Sequence, residues 1–200
     1  MTRRPMLAAA AFLASAALLG AGAALPAPAA APAAAWGGDT VHSFVTFRVK
    51  HMGTSWAYGR FNDFTVAATA DEGGALVSSV NFTVKTESVD TGNPKRDQHL
   101  KSPDFFNAKQ FAEITFASTA VKAIDGDTAE VTGNLTLHGT TKPVTVTVMK
   151  VGTGKGMKGE DLLGLETSFA VKRSDFGMSN MVGPVGDEAR ITVAVELSKK

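Results

Sequence analysis

From Val41 to Leu197 the chain repeats one pattern: apolar and polar residues alternate in short runs separated by turn residues. In the first run Val41, Val45, Phe47 and Val49 share one parity, and His42, Thr46, Arg48 and Lys50 share the other. A period of two places successive side chains on opposite faces of an extended strand, so each run predicts a strand with one buried face. The runs are Val41 to His51, Arg60 to Thr69, Ser79 to Val89, Glu113 to Lys122, Thr128 to Leu137, Val144 to Val148, Leu163 to Val171 and Arg190 to Leu197. Asp71-Glu72-Gly73-Gly74 and Asp125-Gly126-Asp127 supply hairpin turns. In the second run Phe61 and Phe64 have opposite parity, and Asn62-Asp63 between them predicts a bulge. Gly53 to Gly59, His138 to Lys142 and the glycine-rich Val151 to Asp161 read as loops, and Arg173 to Asp187 as a long connection.

Antiparallel strands of this kind must hide both an apolar face and their edges. A sandwich hides the face, whereas closing eight strands into a barrel removes the edges as well. An eight-stranded barrel either fills its interior with side chains or encloses one small ligand. The inward sets mix phenylalanines with Ser43, Ala120, Gly133 and Thr167, which favours a cavity over a filled interior. The expected wall comprises Val45, Phe47 and Val49 from the first run and Phe61 and Phe64 from the second. Phe82, Phe116, Leu135, Leu137 and Phe169 continue it. The outward set includes Arg48, Lys50, Lys85, Glu130, Lys172 and Arg190, which lipid would penalise, so an outer-membrane barrel is disfavoured.

The alternation stops only at Thr91 to Phe106, T-G-N-P-K-R-D-Q-H-L-K-S-P-D-F-F, between the third and fourth strands. Asn93-Pro94 reads as an N-cap and first helical residue, and Ser102-Pro103-Asp104 repeats the arrangement. A short helical connector with Leu100, Phe105 and Phe106 on one side suits the end of a barrel. Its charged group, Arg96, Asp97, His99 and Asp104, has the residue types of an acid–base or metal site. One histidine with two carboxylates is a poor ligand set, and pinning of the connector is the favoured role. Arg173 and Asp175 form a second polar pair, expected as a salt bridge, beside the apolar Phe176 and Met178.

The N-terminus begins M-T-R-R-P, continues apolar from Met6 to about Leu25 and ends in small residues, Ala33-Ala34-Ala35. These are the three parts of a secretory signal peptide, so residues 1–35 are expected to be removed. An uncleaved anchor is the rival, and Arg3-Arg4 leaves Sec and twin-Arg export both open. Removal takes only Arg3 and Arg4 as charges and leaves 18 basic and 19 acidic residues, a net of −1. This balance argues against a nucleic-acid or anionic-membrane partner recognised by bulk charge. The absence of cysteine means that a single core must stabilise residues 36–200 without disulfides.

Several segments together resemble one family. They are H-S-F-V-T-F-R-V-K-H from His42, G-R-F-N-D-F from Gly59 and the whole Thr91 to Phe106 stretch. G-N-L-T-L-H-G-T-T-K-P-V from Gly133, K-R-S-D-F-G-M from Lys172 and V-G-D-E-A-R-I from Val185 complete them. Their order and spacing are similar to the YceI family of periplasmic, lipocalin-like proteins, departing at Phe111-Ala112-Glu113. The resemblance implies an eight-stranded antiparallel lipocalin-like β-barrel with a short helical connector after the third strand. It implies a polyisoprenoid ligand, such as a polyprenyl quinone or precursor, held against the wall residues together with Phe105, Phe106, Phe176 and Met178. Arg96, Asp97, His99, Arg173 and Asp175 then serve as headgroup contacts or structural polar groups. Neither a catalytic residue, a metal nor a cofactor comes with the resemblance. Expected partners are the lipid, a second copy in a homodimer and transient inner-membrane contact. An envelope enzyme using Arg96, Asp97 and His99, and a stress-related interaction module with a filled lumen, are the alternatives.

Overall fold

The computed structural model describes residues 33–74 and 77–200. The strands are β1 (Ala33–His51), β2 (Ser55–Phe61), β3 (Phe64–Asp71), β4 (Val77–Lys85), β5 (Val89–Asp90), β6 (Glu113–Ala123), β7 (Thr128–Leu137), β8 (Thr140–Lys155), β9 (Asp161–Lys172) and β10 (Val185–Lys199). One helix, α1 (Pro94–Lys101), follows β5. All ladders among the named strands are antiparallel, and β10 pairs back to β1, so the sheet closes.

The ring has eight staves. β1 pairs with β2 along Val45–His51 and with β3 along Ala33–Gly37, so β2 and β3 are one stave interrupted at Asn62-Asp63. β4 and β5 are likewise one stave interrupted by the 3-10 turn Thr86–Ser88. The interruption at Asn62-Asp63 lets Phe61 and Phe64 both point inward despite opposite parity, as a bulge does.

Two further irregularities change faces that strict alternation assigns wrongly. In β1 the register to β10 shifts between Asp39 and Phe44, so Val41 is 75% exposed while Ser43 and Val45 are buried. In β6 a shift between Ser118 and Ala120 turns Ala120 outward and Val121 inward. The strands are also longer than expected. Gly53 to Gly59 is mostly β2, leaving a turn at Met52–Thr54. Leu137 pairs directly with Thr140 across His138-Gly139, both at positive φ. Val151 to Asp161 is a paired hairpin down to Lys155↔Asp161 rather than a loop.

The two ends of the barrel differ. At one end Trp36, Ala70, Val77, Leu163 and Leu197 pack into a solid core, with Leu163 and Leu197 fully buried. The other end carries the β1–β2 turn, α1, the β7–β8 turn and the connection from β9 to β10. There the β8–β9 ladder begins only at Val148↔Thr167, so residues 140–147 of β8 lie outside that ladder. The 3-10 turn Arg173–Phe176 fills this splay: Phe176 and Met178 pack among Leu135, Leu137, Val144, Phe169 and Val171.

Of the expected leader, residues 1–32 lie outside the described residues. Ala33–Ala35 belong to β1 and pair with Thr69–Asp71, and the Ala35 carbonyl accepts from the Lys200 backbone N–H (2.9 Å).

Candidate functional site

Above the solid core the barrel is hollow. A cavity of about 210 Å³ is bounded by all eight staves and by the connector. Its wall is aliphatic and aromatic apart from Thr115, Thr167 and Arg173. Of the expected wall residues, Val45, Phe47, Val49, Phe61, Phe82, Phe116, Leu135, Leu137 and Phe169 line it, as do Phe105, Phe106 and Met178. Two expected residues do not. Phe64 is buried and stacks on Phe82, with ring centroids 5.6 Å apart and planes 14° apart, so it backs the wall instead of forming it. Phe176 is buried in the β8–β9 splay. The wall also takes in residues that the sequence reading left out, chiefly Val185, Ala189, Ile191 and Val193 of β10 and Val80 and Val84 of β4. Their signal was present, because Ile191, Val193, Val80 and Val84 all sit on the inward parity of their strands.

Two glycines keep the space open. A Cβ on Gly59 would meet the Phe47 ring at 2.3 Å, and one on Gly133 would meet the Phe116 ring at 2.4 Å. Each ring therefore lies over a bare backbone instead of projecting to the barrel centre. Alternating large and small inward residues elsewhere lets side chains interdigitate and fill a core; here the rings fold back onto the wall.

The connector closes the hollow end. The Asn93 side chain accepts from the Arg96 backbone N–H (3.1 Å) and Pro94 occupies the first helical turn, as the sequence predicts. The second helix-start signal is not used: Ser102 caps the C-terminus of α1 and its hydroxyl accepts from the Asp104 backbone N–H (3.3 Å) within a turn. That turn delivers Phe105 and Phe106 to the cavity. Phe106 meets Phe61 edge-on at 5.5 Å and Phe47 at 6.4 Å, forming an aromatic lid.

The connector's charges hold it in place. Arg96 donates from Nε to the Thr91 hydroxyl (2.7 Å) and from Nη2 to the Thr91 carbonyl (2.8 Å). The Asp97 carboxylate accepts from the Thr91 backbone N–H (2.8 Å) and hydroxyl. His99 pairs with Asp104 through Nε2 (2.9 Å) and sets its ring edge-on to Phe105 at 5.0 Å. None of Arg96, Asp97 and His99 lines the cavity.

Arg173 and Asp175 are not the salt bridge expected of them. Arg173 is 6% exposed and donates to four backbone carbonyls: Gly186 from Nε (2.9 Å), Met178 and Asn180 from Nη1 (3.0 and 3.3 Å) and Val185 from Nη2 (3.0 Å). Asp175 points away, 3.7 Å from Lys142 Nζ. Both residues sit in the 3-10 turn Arg173–Phe176, which buries Arg173 and leaves Asp175 at the surface before the left-handed Gly177 ends the turn. Burial pulls the Arg173 guanidinium below the ordinary arginine value, and the charge of Asp187 acts in the opposite direction. Asp187 itself is held below the usual carboxylate range, first by the Ser174 backbone N–H (2.9 Å) and then by its hydroxyl (2.7 Å). Arg173 is thus a buried cation that ties the connection from β9 to β10 beside the cavity.

On the outer surface, Asp39, His42 and Glu196 bring ligand-type atoms within 4.8 Å of one another at the β1 bulge. His42 Nδ1 lies 2.6 Å from Asp39 and 3.7 Å from Glu196. The hydrogen bond to Asp39 raises the His42 pKa, and the Val41 backbone N–H followed by His42 lowers that of Asp39. His138 lies half-buried, with Nδ1 3.2 Å from the Phe176 carbonyl and its ring against Phe111.

A closed antiparallel barrel with one solid end, one lidded end and an apolar chamber between them defines a lipocalin-like container. The chain belongs to the YceI-like domain family, whose profile matches residues 36–197. A UPF0312 protein of Pseudomonas aeruginosa is 46% identical over 155 residues, covering 78% of this chain and 81% of the relative. Protein YceI of Salmonella arizonae is 43% identical over the same length, with the same coverage. Among solved structures, BcnA of Burkholderia cenocepacia superposes with a TM-score of 0.71 at 26% identity, over 80% of this chain and 98% of that one. The YceI protein of Campylobacter jejuni gives 0.69 at 31% identity, over 76% and 90%. A polyisoprenoid binding domain from Saccharophagus degradans gives 0.63 at 14% identity, over 84% and 99%, and shares the fold.

Proposed function

We propose that the chamber holds a polyisoprenoid chain, such as a polyprenyl quinone or its precursor, for carriage, storage or protection in the periplasm. The observation that carries this reading is the chamber itself: a cavity whose polar lining, among the described residues, is two threonines and one arginine already bonded to four carbonyls. The related fold described as a polyisoprenoid binding domain supports the choice of ligand class.

The magnitudes are consistent with binding by apolar area alone. At about 10–15 Å³ per water-sized group, a cavity of about 210 Å³ accommodates roughly 14–21 carbon centres. At about 0.8 kcal/mol per buried methylene this is roughly 11–17 kcal/mol before the cost of association. That cost is about 4–15 kcal/mol, so burial offsets association without a specific headgroup contact over most of these ranges, though not at their unfavourable extreme. Roughly three to four isoprene units fill the chamber in this form, and a longer chain extends past the lid or expands the wall.

The test is Leu135→Arg, on the wall, against Thr136→Arg, its outward neighbour. Organic extracts of gently purified protein are analysed by mass spectrometry, with circular dichroism to confirm folding because a buried Arg can unfold a domain. Loss of prenyl lipid from the first variant and retention in the second is expected. Equal lipid in two folded variants removes the chamber from the account. Export is part of the same proposal. The intact mass of envelope material identifies the cut, and processing after Ala35 removes the Ala33–Ala35 pairing to β3 whereas an upstream cut keeps it.

A further inference from the structure

We propose that the hairpin formed by the end of β1 and by β2 docks on an anionic phospholipid bilayer. The inference rests on the reading of the chamber as a lipid site, since a carrier of membrane lipid must meet a membrane to load or unload.

Residues 45–51 of β1 alternate between two jobs. Val45, Phe47 and Val49 line the chamber. Arg48 and Lys50 face out, and the register sets Tyr58 opposite Arg48 and Trp56 opposite Lys50. On the other side of β1, Arg190 is the Cα partner of Arg48. Three cations converge on one indole: Lys50 Nζ lies 4.5 Å, Arg48 4.6 Å and Arg190 5.4 Å from the Trp56 ring centroid. One carboxylate answers them, Glu188, bonded to Arg190 at 2.8 Å. Arg48 donates only weakly, to the Tyr58 hydroxyl at 3.4 Å.

Like charges directly opposite across a strand pair destabilise a sheet. The Trp56 ring and Glu188 offset part of that repulsion, and a negatively charged partner answers the rest of the excess. Residues 36–200 carry a net charge of −1, so the excess is local to this face. The chemistry around it matches a bilayer interface in particular. Indole and phenol rings favour the headgroup level, and basic side chains are drawn to anionic headgroups. Tyr58 is 60% exposed, and Met52 at the hairpin tip is 61% exposed, offering an apolar side chain beyond the cations. The hairpin also stands at the lidded end of the barrel, where the connector and the Arg173 connection meet the chamber.

The chain supplies its own reporter. It has two tryptophans, and Trp36 is buried at 2% exposure, so an environment-dependent change in emission reports Trp56. Purified protein is mixed with vesicles of phosphatidylglycerol and phosphatidylethanolamine, or of phosphatidylcholine alone, and followed by co-sedimentation and tryptophan emission. Binding with a blue shift is expected on the anionic vesicles only, reversed by salt. The double variant R48Q/K50Q weakens it roughly 30-fold, as loss of two basic side chains beside an anionic surface predicts. Equal binding to phosphatidylcholine, or unchanged binding by R48Q/K50Q, overturns the proposal. So does a concentration-dependent emission shift without vesicles accompanied by a doubled sedimenting mass, which assigns the face to a second copy. Extracted lipid is measured on the same samples. R48Q/K50Q that is folded and keeps its lipid but not its vesicle binding supports docking. Wild-type protein that binds vesicles but yields no lipid refutes the chamber reading and leaves docking standing.

Discussion

Replacing Arg173 by Met tests the most connected side chain beside the chamber. The substitution keeps an unbranched stem and removes the guanidinium and its four bonds. The bond to the Met178 carbonyl is buried, and those to Gly186, Asn180 and Val185 are part-buried. An unsatisfied buried acceptor costs about 1–3 kcal/mol, and the three part-buried carbonyls, which regain water, about 0.5–1 kcal/mol each. Relief of the buried cation's desolvation, which the charge of Asp187 already lessens, offsets part of this. The expected loss is about 2–5 kcal/mol, or roughly 4–20 °C in Tm for a domain of this size. Urea unfolding followed by circular dichroism measures it. Arg173→Lys should recover less than half, because one ammonium cannot span carbonyls arranged around a planar fork. A loss below about 0.5 kcal/mol for Arg173→Met would show that the connection from β9 to β10 is held without the guanidinium, by Phe176, Met178 and the Ser174–Asp187 bonds.

Three other perturbations follow from the geometry. Gly59→Ala should push the Phe47 ring into the chamber, because the new Cβ would stand 2.3 Å from it; folding is retained and lipid per mole of protein falls, and undiminished lipid would refute the role of the bare strand. Arg96→Ala should cost only about 0.5–1.5 kcal/mol, since both its bonds to Thr91 are exposed, and should leave bound lipid intact; lost lipid at full stability would make Arg96 a headgroup contact. His42 should titrate above the ordinary imidazole value in histidine NMR and return toward it in Asp39→Asn. Because its folded pKa is raised, its stabilising contribution is present below about pH 6.5, while Asp39 stays ionised, and is lost as pH rises through the folded value; a denaturation midpoint unaffected by Asp39→Asn at about pH 5 would contradict this.

Most of the barrel was legible because its strands keep a strict period of two, and a period of two fixes faces without knowledge of neighbours. β7 is the clearest case, alternating from Ala129 to Leu137 as read. The failures occur where one strand gains residues relative to its partner. Val41 and Ala120 were assigned inward because nothing in their local sequence marks the shifts after Asp39 and Ser118, which arise from pairing with β10 and β7. Asn62-Asp63 was recognisable as a bulge because two phenylalanines of opposite parity both demanded burial. The helix start at Asn93-Pro94 was local and was realised, whereas Ser102-Pro103-Asp104 was outcompeted by the turn that brings Phe105 and Phe106 to the lid. Arg173 was picked out as a structural polar group, but its partners could not be read: they are backbone carbonyls, and carbonyls carry no residue identity.

The plug of Trp36, Leu163 and Leu197 gives the barrel a polarity that its eight-fold closure alone lacks. A tube blocked at one end is a dead-end street. A flexible tail that goes in first must come out last. Whatever enters after it stays on the side of the connector's phenylalanines, so the order of entry settles the occupant's orientation before any bond to it is made.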